Sequence, residues 1–285
     1  MKINELYKSD KKIFSFEVFP PKPEMPIDTI YRTIDEIKHL NPSFISVTYG
    51  AGGSNRSRTI ELSSYIKNQL GIEALSHLTC VASSKEEISS ILDNLKNNSI
   101  ENILALRGDP PKDIQNFDFS TQEFKHASDL ISHIAHKEHF CIGASCYPEA
   151  HIESSCHQED IKYLKLKVDS GVSFLISQLF FDNNIFISFL DEIRKADINC
   201  PVSAGIMPIL NSNQIKRMTL MCGASIPKKL IRILNRYEHN PDDMIKAGIH
   251  YAIEQIHALK NSTVNGFHIY TMNRPDIVKE IMKNI

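Results

Sequence analysis

FLISQLFF, residues 174–181, closes the longest uncharged apolar stretch of the chain, the 12 residues 170–181. A membrane-spanning helix needs roughly 20 such residues, so the stretch reads as a buried strand. Its apolar residues are continuous rather than alternating, the pattern of a strand covered on both faces, as in parallel sheets. FISVTYG, residues 44–50, has the same character. Outward from these two lie six more β-rich runs, at 13–19, 73–79, 102–108, 141–147, 202–207 and 266–271. Between the runs, apolar residues recur at helical spacing, as in Ile27, Ile30, Ile34 and Ile37, or Ile245, Ile249, Ile253 and Ile256. Eight β-α units in about 250 residues predict an α/β fold, a (β/α)8 TIM barrel. The interval from Met207 to Gly266 is about twice the usual crossover, so extra helices are expected between strands 7 and 8, at 211–222, 228–237 and 241–260. Pro227 and Pro241 are natural helix starts there. With no Gly/Ser linker or charge block, residues 1–285 are expected to form a single catalytic domain. A doubly wound sheet would carry a glycine fingerprint after its first strand, and neither G-x-G-x-x-G nor G-x-x-x-x-G-K-[ST] occurs.

The 285 residues are 42% hydrophobic and 23% charged, enough for a large core. A formal charge of −2 gives no field to attract nucleic acid or an anionic membrane. The opening MKINELYKSDKK lacks the apolar block of a secretory signal, which predicts a cytoplasmic location. Six scattered cysteines without a C-x-x-C pair argue against a disulfide framework or a zinc cage. His126, His133, His136 and His139 cluster without H-E-x-x-H or an acidic third ligand, and are expected on a solvated helix face with no bound metal.

In a TIM barrel the chemistry sits at the C-terminal ends of the strands. Polar groups stand at or just past seven of the eight ends here, among them Glu17, Thr48 and Tyr49, His77, Arg107 and Asp109, Tyr147 and His151, Gln178, and Arg274. Glu17 is the most informative. It lies inside an apolar run between Phe16 and Val18, where an acid is costly unless paired or functional. Burial is expected to raise its pKa toward that of a general acid; a buried salt bridge to Arg107 or Arg274 is the alternative. Asp109 precedes two prolines that stiffen its loop, and serves either the rim chemistry or a helix cap. A Schiff-base aldolase would need a lysine at a strand end, and none is present. A metal-dependent hydrolase would need a partner for His77.

S-F-E-V-F-P-P (15–21), S-V-T-Y-G-A-G-G-S-x-R-x-R-T (46–59), H-L-T-C (77–80), L-A-L-R-G-D-P-P (104–111), Y-P-E-x-H (147–151), S-Q-L-F-F-D (177–182), G-I-M-P (205–208) and Y-T-M-N-R (270–274) occur in this order. In order and spacing they resemble bacterial-type methylenetetrahydrofolate reductase, from about Phe14 to Arg274. The resemblance implies a barrel that binds FAD non-covalently and reduces 5,10-methylenetetrahydrofolate with NADH or NADPH, by ping-pong transfer through the flavin, feeding methionine synthesis. By resemblance, Thr48, Tyr49, His77, Arg107, Gly108, Asp109, Ala127, Tyr147, His151, Asp160 and Lys167 form the FAD-contacting set. Glu17 resembles the general acid and Asp109 the carboxylate beside flavin and folate, while Gln178, Gln214, Met218 and Arg274 join Glu17 as substrate contacts. Tyr163 stands where the family pattern often has Asn, and Met218 where it has Phe or Leu. The family also implies a homo-oligomer with small-molecule substrates as its partners.

Overall fold

The structure is a computed structural model that describes residues 1–22, 24–49, 56–111, 114 and 116–285. Eight parallel strands close into a barrel in chain order: β1 (Ile13–Val18), β2 (Phe44–Val47), β3 (Glu73–Thr79), β4 (Asn102–Leu106), β5 (Cys141–Cys146), β6 (Phe174–Ser177), β7 (Val202–Ile206) and β8 (Gly266–Tyr270). Closure is made by β1, which pairs with β2 on one side and β8 on the other. Outside run α1 (Asp28–Ile37), α2 (Arg56–Ser64), α3 (Lys85–Asn97), α4 (Ala127–Ala135), α5 (His157–Asp169) and α6 (Asn183–Lys195). The long crossover holds α7 (Ser212–Cys222), α8 (Lys228–Arg236) and α9 (Pro241–Leu259), and α10 (Pro275–Lys283) follows β8. This is the (β/α)8 barrel with extra helices between its last two strands.

All the expected runs except 73–79 extend past the strand they contain. The described residues beyond the ladder mostly turn into the rim of a cavity at the C-terminal end of the barrel, whereas the end of the 174–181 run packs under a helix. In the run 174–181 the strand stops at Ser177, yet Leu179, Phe180 and Phe181 remain buried. Their carbonyls find side chains on α9 instead of a neighbouring strand. Gln255 donates to Phe180 O at 3.1 Å and Tyr251 to Phe181 O at 2.5 Å. Gly50, the last residue of the run 44–50, and the A-G-G-S after it lie outside the described residues.

The main core lies between barrel and helices, and a second cluster fills the barrel itself with Ile13, Phe44, Leu75, Leu104, Phe174 and Ile176. A 3-10 helix, Ile3–Lys8, joins this inner cluster through fully buried Ile3. Its Tyr7 hydroxyl lies 2.8 Å from Ser203 Oγ on β7. Leu6 and Tyr7 pack on the same cluster, so Ile3, Leu6 and Tyr7, at i, i+3 and i+4 within the charged opening, form one apolar face against the barrel. All six cysteines are free, with Cys80, Cys141 and Cys146 buried. His133 is half-buried, 3.1 Å from Ser89 Oγ and edge-on to Phe124, rather than on a solvated face.

Candidate active site

A cavity of about 720 Å³ opens at the C-terminal rim, within the size range of small-molecule sites. Leu104 and Ile176 of the inner cluster line it, so the filled barrel forms its floor. Of the residues singled out in the sequence, Glu17, Thr48, Tyr49, His77, Arg107, Gly108, Asp109, Ala127, Tyr147, His151, Asp160, Lys167, Gln178 and Met218 all line this one cavity, as does Tyr163. Gln214 and Arg274 do not. The first lies at the start of α7, where its Oε1 is buried without a hydrogen-bond partner among the described residues. Arg274 turns outward to Asp276, donating from Nε at 3.0 Å and from a terminal nitrogen at 2.7 Å.

At the deep end, Glu17 faces two imidazoles. Its Oε2 is 3.5 Å from His77 Nε2 on β3 and 3.5 Å from His268 Nε2 on β8. His268 is fully buried, with Nδ1 2.7 Å from Ser15 Oγ and Nε2 3.3 Å from Ser46 Oγ. The barrel register sets this geometry, since His268 is the β8 partner of Ser15 and Tyr270 that of Glu17. Neither expected arginine reaches Glu17, because each is engaged by an acid on its own loop or a neighbouring one. The expected rise in the Glu17 pKa is also reversed. Burial pushes it up, but the His268 hydrogen bond, with the electrostatic influence of His77 and His268 behind it, outweighs burial and holds it below the ordinary carboxylate value. Burial pushes His77 down to about 4. Near neutral pH His77 is therefore uncharged, and the largest influence holding Glu17 down is its hydrogen bond with His268.

Across the mouth, Arg107 makes a two-pronged pair with Glu153, at 2.7 and 2.6 Å, while its guanidinium lies 4.1 Å from the Phe119 ring centroid. A guanidinium held in both plane and position is suited to meeting a planar or anionic group. Gly108 follows with φ of +89°, and a Cβ there would stand 2.6 Å from Val81 Cγ1. Only glycine turns the chain so tightly over β3, which leaves Asp109 exposed on the rim. Further round, Lys167 on α5 donates to Ser145 O at 2.7 Å and lies 5.7 Å from the Tyr147 ring. Burial lowers its pKa, opposed by Cys146 and Asp160. Asp160 accepts from Ser154 Oγ at 2.9 Å. Gln178 turns its Oε1 back to the N–H of Leu179 at 2.8 Å, leaving its amide nitrogen for a ligand. Two buried polar atoms of the lining, Tyr49 OH and His77 Nε2, have no hydrogen-bond partner among the described residues.

The sequence reading missed His268, Glu153, Phe119 and Ser145. His268 left one signal, an imidazole inside the apolar strand G-F-H-I-Y. Glu153 and Phe119 lie in a loop and a one-turn 3-10 helix with no periodic pattern to place them, and Ser145 acts through its carbonyl, where side-chain type carries no information.

The family model described as methylenetetrahydrofolate reductase matches residues 2–285. The chain is 37% identical over its full length to methylenetetrahydrofolate reductase (NADH) 1 of Arabidopsis thaliana, of which it spans 50%. It is 34% identical to the 5,10-methylenetetrahydrofolate reductase of Escherichia coli K12, with 92% of this chain and 87% of that protein covered. The chain thus spans about half the length of its plant relatives and most of the bacterial one. Among solved structures, a Clostridium thermocellum protein described as binding two copies of 5-methyl-5,6,7,8-tetrahydrofolic acid superposes with a TM-score of 0.70 at 14% identity, covering 98% of this chain and 95% of that one. 2,3-Dimethylmalate lyase follows at 0.57 and 7%, covering 99% and 82%. These two likenesses concern the fold alone. The sequence matches span the whole barrel and every strand end that lines the cavity, and on them the chain belongs to the methylenetetrahydrofolate reductase family.

Proposed function

We propose that this chain reduces 5,10-methylenetetrahydrofolate to 5-methyltetrahydrofolate, with NADH or NADPH as hydride donor and non-covalent FAD as carrier, in one catalytic barrel. The observation that carries the reading is the meeting, in one cavity of a family member, of a half-buried acid, held by His77 in the lining and by His268 behind it, with a cationic, aromatic outer wall. The lining fits a flavin dinucleotide. Tyr49 OH and His77 Nε2 are buried atoms in need of partners, and Lys167 and Arg107 are cations suited to a diphosphate. Thr48, Gly108, Ala127, Tyr147, His151 and Asp160 would complete that binding surface. When bound, the flavin would accept hydride from the nicotinamide and pass it to the folate, so both substrates use one face in turn.

The chain's own groups do the rest. Opening the folate's imidazolidine ring to a 5-iminium cation requires a proton at N10, and Glu17 is the donor. In the open cavity Glu17 is held ionised; a folate that fills the cavity excludes water and raises its pKa, so that it binds the proton it then delivers. Asp109, on the rim, stabilises the cation. Gln178 offers its amide nitrogen to the substrate, and Met218 packs on it as a soft apolar surface.

The visible spectrum of the purified protein tests the reading. A yellow protein that releases FAD on denaturation is expected. FMN, a covalent flavin or no flavin would overturn it.

A further inference from the structure

The last rung between β1 and β8 is Glu17 opposite Tyr270. Beyond it β8 turns away through Met272 and Asn273, both with φ of 53°, a left-handed conformation that asparagine tolerates better than most residues. The turn removes the backbone that would have paired with Phe19. The side chain of Asn273 replaces it. Phe19 N–H donates to Asn273 Oδ1 at 3.1 Å, and Asn273 Nδ2 donates to Phe19 O at 2.8 Å. The same turn holds the acid's backbone, because Thr271 Oγ1 donates to Glu17 O at 2.6 Å and accepts from Asn273 N–H at 3.1 Å. One amide thus extends β1 by a rung that the sheet no longer supplies.

Residues two apart in an extended chain share a face, so Phe19 follows Glu17 on the cavity side. Both line the cavity, together with Met272. Pro20 and Pro21 stiffen the chain beyond. Phe19 nevertheless remains 39% exposed. A large apolar ring, fixed at both its backbone groups yet left open at a cavity mouth, has a face available for a planar ligand. Its place one step above the acid selects which ligand. The folate must reach Glu17, whereas the nicotinamide has no use for a proton donor.

We propose that Phe19 is the contact face for the planar ring system of the substrate that Glu17 protonates, and that Asn273 is the positioning residue that holds it there. The inference rests on the folate-reductase reading of the site. Asn273→Gly deletes the amide and keeps left-handed backbone accessible, Phe19→Leu deletes the ring, and the double variant links the two. Reduction by NADH and reoxidation by methylenetetrahydrofolate are followed separately by anaerobic stopped flow on flavin-loaded protein. Each single variant is expected to raise the apparent folate dissociation constant about tenfold, the upper end of one ring contact. That rise should exceed any change for NADH. The double variant should also stay near tenfold rather than about a hundredfold, because residues acting through one another are not additive.

A hundredfold double effect, an unchanged folate constant in Asn273→Gly, or equal losses for both substrates would overturn the proposal. If Asn273→Gly does not retain flavin, Asn273→Asp keeps the acceptor for Phe19 N–H and replaces the donor to Phe19 O by a carboxylate oxygen that repels it. An intermediate folate constant supports the proposal, and a wild-type constant overturns it. Wild-type protein that binds no flavin, or whose reduced flavin the folate does not reoxidise, overturns the reading of the site and this inference with it.

Discussion

Glu17 has two demands on its proton, since His268 favours the carboxylate while the proposed reaction needs the acid. Glu17→Gln keeps the shape and removes the ionisable group. Reduction of bound flavin by NAD(P)H needs no acid, so its rate is expected to stay within about tenfold of wild type, about 1.4 kcal/mol of barrier. Reoxidation by methylenetetrahydrofolate needs the proton, and loss of a positioned general acid costs on the order of 10²–10⁴-fold. Stopped-flow traces of the two half-reactions check this, and a parallel fall in both would make Glu17 a structural residue. Glu17 was legible in the sequence because an acid between Phe16 and Val18 in an apolar run is costly unless paired or functional. Its partners were not. Pairing Glu17 with an arginine follows charge alone, whereas the barrel register brings His268 to it from 251 positions away. Arg274 illustrates the converse: its place at a strand end is real, but Asp276 two residues on draws the guanidinium outward.

Elements were legible wherever burial and hydrogen bonding coincide. The long crossover resolved into three helices close to their expected bounds, because Asn211 and Asn240 accept from N–H groups of the first turns of α7 and α9, and Pro227 precedes α8. Strand ends were less legible, since apolarity reports burial and not pairing. The end of the 174–181 run depends instead on α9. Tyr251→Phe would leave the buried Phe181 carbonyl without its donor, and such a loss typically costs about 1–3 kcal/mol. Urea unfolding should therefore show a lower midpoint at unchanged slope. An unchanged midpoint would mean that water or a shifted α9 satisfies the carbonyl. The 3-10 helix at Ile3–Lys8 did leave a pattern, Ile3, Leu6 and Tyr7 at i, i+3 and i+4, but one turn of helical spacing is too short to separate a packed segment from a charged tail.

At the scale of the whole molecule, closing eight strands around buried polar groups couples stability to pH. His77 has a folded pKa of about 4 against 6.5 without the fold, so as pH falls the unfolded chain takes up this proton first. The stability it represents is complete above pH 6.5 and is lost progressively down to pH 4. A shift of that size corresponds to about 3 kcal/mol. Glu17 acts in the same direction at lower pH, because its folded pKa lies below the ordinary 4.5 and its contribution fades as pH falls through that range. Burial likewise lowers His133 and His151, which add smaller slopes of the same sign. The wild-type protein should therefore lose urea stability steeply between pH 6.5 and 4, and His77→Gln should lose less over the same interval, whatever its absolute stability at pH 7. Comparing the two slopes separates His77 from His133 and His151, since those titrate alike in both proteins. Parallel slopes would mean that His77 takes a proton in the folded barrel as readily as in the unfolded chain, with Glu17 swinging to meet the imidazolium.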